Sequence, residues 1–429
     1  MRALRRHDVL GPLIVALVVY LGAVGVQLHS YDGDPTGFVQ FGSVPAATIQ
    51  PPPGAHVLAG SIGYDGQTYY VLARSPEIDP HVETVFNSIE YRAQRIAYPA
   101  LAWLASGGGS EDGLPWALLA LNVAFALLAT AAAAAWLRSQ GHSGWLALAV
   151  GLTPGVLMTI LRDLTDVVGL AASLGALWAW HRRRERLTAA ALVLAVLARE
   201  TMLLLAAVIA YDAWRRRRAG EDAAHPVRLV LPGAVSFAAW QAYATWRFDG
   251  EIPWATAPSS LWEAPGVGAA RAVPDLLDQP AAQVAWDLAY LGLCAAAVVA
   301  AVVVLGRSRG PEALFCASQA AVVVLLGEVF WIDHWSFTRV TAPLFASLLL
   351  AGAVTRSRPA MAIACAASAL TIVIPAALNT DSTLAPAEAA VQRSAPAPGP
   401  DPLVHSELGG RRLPEPPLAA DPVPVAGGL

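Results

Sequence analysis

The chain has 429 residues, 56% of them hydrophobic and 14% charged, with a mean hydropathy of +0.50 and a formal net charge of −4. A soluble chain averages about 25% charged residues, so this composition excludes an ordinary water-soluble domain, and no nucleic-acid partner is expected. All 28 basic residues are arginine, which excludes Schiff-base and P-loop lysine chemistry.

A hydrocarbon core about 30 Å thick is crossed by about 20 apolar residues, and runs of that kind recur along the chain. The expected fold is an all-α polytopic membrane protein with nine spans, near residues 9–28, 114–137, 144–161, 164–181, 226–246, 283–306, 313–331, 340–355 and 360–378. The first run reads as an uncleaved span, because it is long for a signal peptide and ends in a poor cleavage site. Residues 29–113 and 247–282 form long outer loops, a length that usually accompanies function. Residues 187–214 are apolar but broken at Arg199-Glu200, with arginine clusters at 182–186 and 215–218 on either side. A single crossing would put one cluster on each side of the membrane, against the positive-inside rule. A re-entrant or short-helix hairpin keeps both together. Residues 1–378 thus form the membrane domain, and the Pro/Ala-rich segment 379–429 is expected to be a disordered outer tail. The arginine distribution implies an N-terminus in the cytoplasm and the tail outside. Cys294, Cys316 and Cys365 all fall in apolar runs, so no disulfide or zinc framework is implied.

Several polar groups interrupt this pattern. Gly63-Tyr-Asp-Gly-Gln-Thr-Tyr-Tyr70 places Asp65 at a turn beside Tyr64, Gln67 and Tyr69. Aromatic flanks offer stacking faces for sugar rings. A partly desolvated carboxylate there should have a raised pKa and accept a proton from a hydroxyl; the bland reading is a turn into a surface helix. In Tyr91-Arg-Ala-Gln-Arg-Ile-Ala-Tyr-Pro99, the spacing puts Arg92 and Arg95 on one helical face, either snorkelling or clamping a phosphate, with Tyr98 beside an interfacial helix near Pro99. Asp163 either lines a cavity or simply pairs with Arg162. Arg199, Glu200, Glu328 and Arg339 are ionisable groups in or beside apolar runs, where they usually line a cavity or pair together. Asp333 and His334 are candidate ligands for a divalent metal ion, a two-residue signal.

At Gly63-Tyr-Asp-Gly-Gln67 and Tyr91–Pro99 the chain resembles the GT-C superfamily of membrane glycosyltransferases, within a bacterial cell-surface glycopolymer or mannosyltransferase-like group. The resemblance covers roughly residues 1–355, including Arg199-Glu200-Thr201. It implies sugar transfer from a polyprenyl-phosphate-linked donor to an envelope glycan, lipid or protein acceptor, with an essential acid in the first outer loop. Asp65 best fits that role, and Asp34, in Asp32-Gly33-Asp34 directly after the first span, competes for it. The alternative is a transporter or flippase for an envelope lipid, against which the lack of an internal repeat counts.

Overall fold

Alanine- and leucine-rich runs favour helix because these side chains lose little freedom there. The structure, a computed structural model, describes residues 2–43, 49–75, 77, 89–256 and 259–373, all within one compact unit, Met1–Glu388. The expected tail, 379–429, lies outside the described residues. The main helices are α1 (Arg2–Ser30), α2 (Asp65–Arg74), α3 (Ile89–Ala93), α4 (Ala97–Ala105), α5 (Leu114–Ser139), α6 (Pro154–Leu161), α7 (Asp166–His181), α8 (Glu185–Ala198), α9 (Leu203–Arg218), α10 (Pro226–Arg247), α11 (Val267–Leu277), α12 (Ala281–Arg307), α13 (Pro311–Leu325), α14 (His334–Val354) and α15 (Arg358–Ala369). Strand among the described residues is confined to a parallel pair, Phe41–Gly42 with Val57–Leu58, and an isolated bridge. The all-α class is therefore met.

The nine spans are not. Among the described residues, four helices are long and apolar enough to cross a membrane: His7–Ser30, α5, α12 and α14. A fifth is gained only if Gly144–Gly151 and α6, bent by 53°, count as one span. Apolarity alone does not register where a helix breaks. The bend falls before Pro154, whose ring cannot continue the preceding helix. Helix α7 has 16 residues because the chain before it is irregular, with Asp163 at φ +48°. Helix α13 stops at Leu325 after 15 residues, because Leu326 and Gly327 pair instead with the second long loop. Helix α15 ends after 12 residues. Helix α10 has 22 residues but falls short in apolarity.

Helix α14 is the central post: 94% of its most apolar stretch is buried, against α6, α12, α13 and α15. Beside it, α8 and α9 form the expected hairpin. They meet at Arg199, whose backbone is extended, followed by the tight turn Glu200–Met202. Their far ends come together, with Arg183 Nη1 donating to the Asp222 carbonyl at 2.7 Å. Both basic clusters therefore share one end of the bundle. That end carries polar contacts of its own: His181 meets Glu312, and buried Asp212 pairs with Arg215 at 2.6 Å and Arg216 at 2.7 Å and accepts from Trp180 Nε1 at 2.9 Å. Reporters fused after Arg184 and after Arg218 should fall on the same side of a membrane. Reports from opposite sides would show that the segment between them crosses.

Candidate functional site

At the other end of α7, α8 and α9, side chains from distant parts of the chain converge on Asp65. The backbone reaches this point through Gly63, at φ +76°, and an extended Tyr64. A side chain at Gly66 would strike the Arg162 and Val39 carbonyl oxygens, at 2.6 and 2.7 Å from its Cβ. The Asp-Gly pair is thus needed so that α2 can start against the core with Asp65 in its first turn, where the helix dipole favours a carboxylate.

Asp65 makes two ion pairs. Its Oδ1 accepts from Arg92 Nε at 2.7 Å, and its Oδ2 from Arg339 Nη2 at 2.8 Å. Burial pushes the carboxyl's pKa up, but the two guanidinium groups outweigh it and hold Asp65 well below the usual carboxylate range. This corrects the expected raised pKa: desolvation is present, but it came with two cations. Arg339 continues to Asp166, Nη1 to Oδ2 at 3.6 Å, and Asp166 also pairs with Arg199. Next to Arg199, Glu200 receives a two-point contact from Arg95, Nε at 2.9 Å and Nη2 at 2.7 Å, and a hydrogen bond from the Tyr91 hydroxyl at 3.1 Å. Tyr69 accepts from Arg95 Nη1 at 3.3 Å. Four arginines and three carboxylates thus form one mostly buried network with an excess of one positive charge.

Arg92 and Arg95 do not share a helical face, contrary to their spacing. Helix α3 ends at Ala93, and the turn there sends Arg92 to Asp65 and Arg95 to Glu200. Neither is a ready-made phosphate clamp, since each already holds a carboxylate. Nor do Arg162 and Asp163 pair. The positive φ at Asp163 turns it away, and its fully buried carboxylate packs by Asn122 and Tyr98, while Arg162 lies over the Trp335 ring at 4.0 Å. Tyr98 belongs to the core: its hydroxyl donates to the Leu118 carbonyl at 3.0 Å and accepts from Asn122 at 2.8 Å.

Other candidates serve the loop itself. Gln67 is buried, accepting from Gly42 N at 3.1 Å and donating to the Ile62 carbonyl at 2.6 Å. Asp34 accepts from the backbone and hydroxyl of Thr36 at 2.9 and 2.5 Å and from His56 N at 3.1 Å, a loop-fastening pattern. Tyr64 lies beneath Arg339, 5.5 Å from its ring centroid, and its hydroxyl reaches Asp333 at 3.3 Å. Asp333 caps α14 through Trp335 N at 3.0 Å, and buried His334 faces Gln283 at 3.4 Å. Among the described residues no group of three or more His, Cys, Asp or Glu side chains could hold a metal ion. Glu328 opens a short turn, Glu328–Phe330, and stands outside the network.

A pocket adjoins the Glu200 end. Its lining mixes the polar Tyr91, Arg95, Arg199, Glu200, Thr201 and Gln319 with the apolar Trp262, Val322, Leu326, Phe330, Val340 and Pro343. Trp262 is brought there because the second long loop pairs with the broken end of α13: Glu263 N donates to Leu325 O at 3.0 Å, and Gly327 N to Leu261 O at 2.9 Å. Trp262 is the site residue that the sequence did not single out; Tyr91, Arg162 and Asp166 stood in polar runs there without being assigned to the site. An acid opening an apolar helix was a usable signal for Asp166; the pairing that delivers Trp262 had none.

Comparison of the chain with protein families, with curated proteins and with solved structures returns no match.

Proposed function

We propose that the chain is a membrane glycosyltransferase of GT-C type, moving a sugar from a polyprenyl-phosphate-linked donor to a cell-envelope acceptor on the outer face of a bacterial inner membrane. The observation that carries this reading is the meeting of a buried arginine–carboxylate network with a small pocket lined by both charged and apolar side chains. A lipid-borne phosphate combines the same two characters. As the pocket widens to admit it, its chain meets Val322, Leu326 and Phe330, and its phosphate competes with Glu200 for Arg95 and with Asp166 for Arg199. Planar guanidinium groups suit phosphate oxygens.

In the transfer, the acceptor hydroxyl attacks the anomeric carbon and loses its proton to Asp65, while the bond from that carbon to the phosphate oxygen breaks. The phosphate leaves with the electron pair, and arginines stabilise its growing charge. Asp65 held by two arginines is a weak base. A donor phosphate that draws Arg92 or Arg339 towards itself raises the proton affinity of Asp65 when the donor is in place, which couples donor binding to base activation.

The test gives the purified protein, in detergent, either a polyprenyl-phosphate-sugar or a nucleotide-sugar. Turnover is expected with the lipid-linked donor. Efficient use of the nucleotide-sugar alone would rule the mechanism out.

A further inference from the structure

The network leaves one buried arginine outside it. Arg162, 3% exposed, follows α6 and rests on the Trp335 ring. The other three buried arginines each hold a carboxylate: Arg95 has Glu200, Arg199 has Asp166, and Arg339 has Asp65. None of the described carboxylates forms an ion pair with Arg162. A guanidinium does not lose its proton in a protein, so this charge persists, and a buried charge without a counter-ion is strongly disfavoured. Asp333 acts on it electrostatically without forming an ion pair. Its oxygens are already engaged by Trp335 N, by the Ser336 hydroxyl at 2.9 Å and by Tyr64.

Arg162 is hydrogen-bonded to the Tyr31 hydroxyl, and Tyr64 acts on it electrostatically. Tyr31 accepts a hydrogen bond from Gln40 Nε2 at 2.9 Å, which leaves its own proton available to an incoming oxygen. A fixed cation stacked on an indole, with a phenolic donor beside it, is a receptor for an oxyanion. Arg162 does not line the amphipathic pocket, yet its backbone touches Gly66, next to Asp65. An anion held there is apart from the lipid-phosphate pocket, whose lining does not include Arg162.

We propose that Arg162, with Trp335 and the Tyr31 hydroxyl, binds a phosphate-type oxyanion distinct from the donor phosphate. Resting on the transfer reading, that oxyanion belongs to the acceptor, which is then an anionic glycan or lipid.

The experiment measures thermal unfolding in detergent with increasing inorganic phosphate, against chloride at equal ionic strength. Wild-type protein should be stabilised saturably by phosphate. Arg162→Gln should need at least about tenfold more phosphate for the same effect, and Arg162→Lys should lie between, keeping the charge but not the fork. A long-chain prenyl phosphate should stabilise wild-type and Arg162→Gln protein alike, because its site is the pocket. No phosphate-specific stabilisation of the wild type would overturn the proposal, and that measurement needs no variant to fold. An unchanged phosphate response in Arg162→Gln would overturn it too. A prenyl phosphate response that vanishes with Arg162 would show that the residue serves the donor instead. None of these readouts uses turnover, so the site and the transfer reaction stand or fall separately.

Discussion

Asp65→Asn is expected to reduce sugar transfer by about 10²-fold or more, the scale of a lost general base, while donor binding persists. The asparagine keeps the shape but cannot accept the proton. It also leaves Arg92 and Arg339 without their shared carboxylate. Breaking a buried pair from one side costs about 3–5 kcal/mol, so the variant must be assayed below its lowered unfolding temperature. Asp34→Asn is the control: Asp34 fastens Thr36 and His56, and its loss should loosen the loop without abolishing turnover. Near-normal turnover in Asp65→Asn, with Asp34→Asn inactive, would move the base to Asp34. The pH dependence adds a second check. Because the folded pKa of Asp65 is depressed, its pairing stabilises the fold above the ordinary aspartate value of about 3.9, and this is lost as pH falls from there through the folded value. In free protein, Asp65 therefore stays ionised throughout the usual carboxylate range. Arg92→Gln removes one of the two cations, and should move the acid limb of turnover upward.

What the sequence made legible was the set of groups that do not belong in lipid. Asp65, Arg199, Glu200 and Arg339 interrupt apolar or turn patterns, and all four enter the network. The hairpin was legible for the same reason, since two arginine clusters flank one broken apolar run. Partners were not legible, because they are set by contacts between remote positions: Asp65 and Arg339 lie 274 residues apart. A local spacing rule therefore put Arg92 and Arg95 on one face and paired Arg162 with Asp163, where the backbone turns at Ala93 and Asp163 separate them. The span count failed for a related reason. A hydropathy run continues through Leu325-Leu326-Gly327, but the backbone there leaves the helix to pair with Leu261 and Glu263.

Arg339→Gln is expected to be the most damaging single substitution for stability. Arg339 stands on the central helix and is 7% exposed at the side chain. It joins the carboxylate of the first long loop, Asp65, to Asp166 at the start of α7, and its aliphatic and guanidinium body covers the Tyr64 ring. Glutamine cannot span both carboxylates and carries no charge, so two buried anions lose part of their compensation together. The cost should be about 3–5 kcal/mol, read as a fall in the unfolding midpoint, with turnover lost as Asp65 is freed to move. Asp65→Asn in the same chain tests whether the two act as a unit. Once Arg339 is gone, neutralising Asp65 removes an under-compensated charge, so the double variant should be less destabilised than the sum of the singles by about 0.5–3 kcal/mol, the coupling range of contacting residues. Additivity within about 0.5 kcal/mol would mean that the pair is not coupled and that Arg92 alone holds Asp65. In that case the activation of the base by donor phosphate would have to work through Arg92, and Arg92→Gln, not Arg339→Gln, would be the variant that uncouples donor binding from proton transfer.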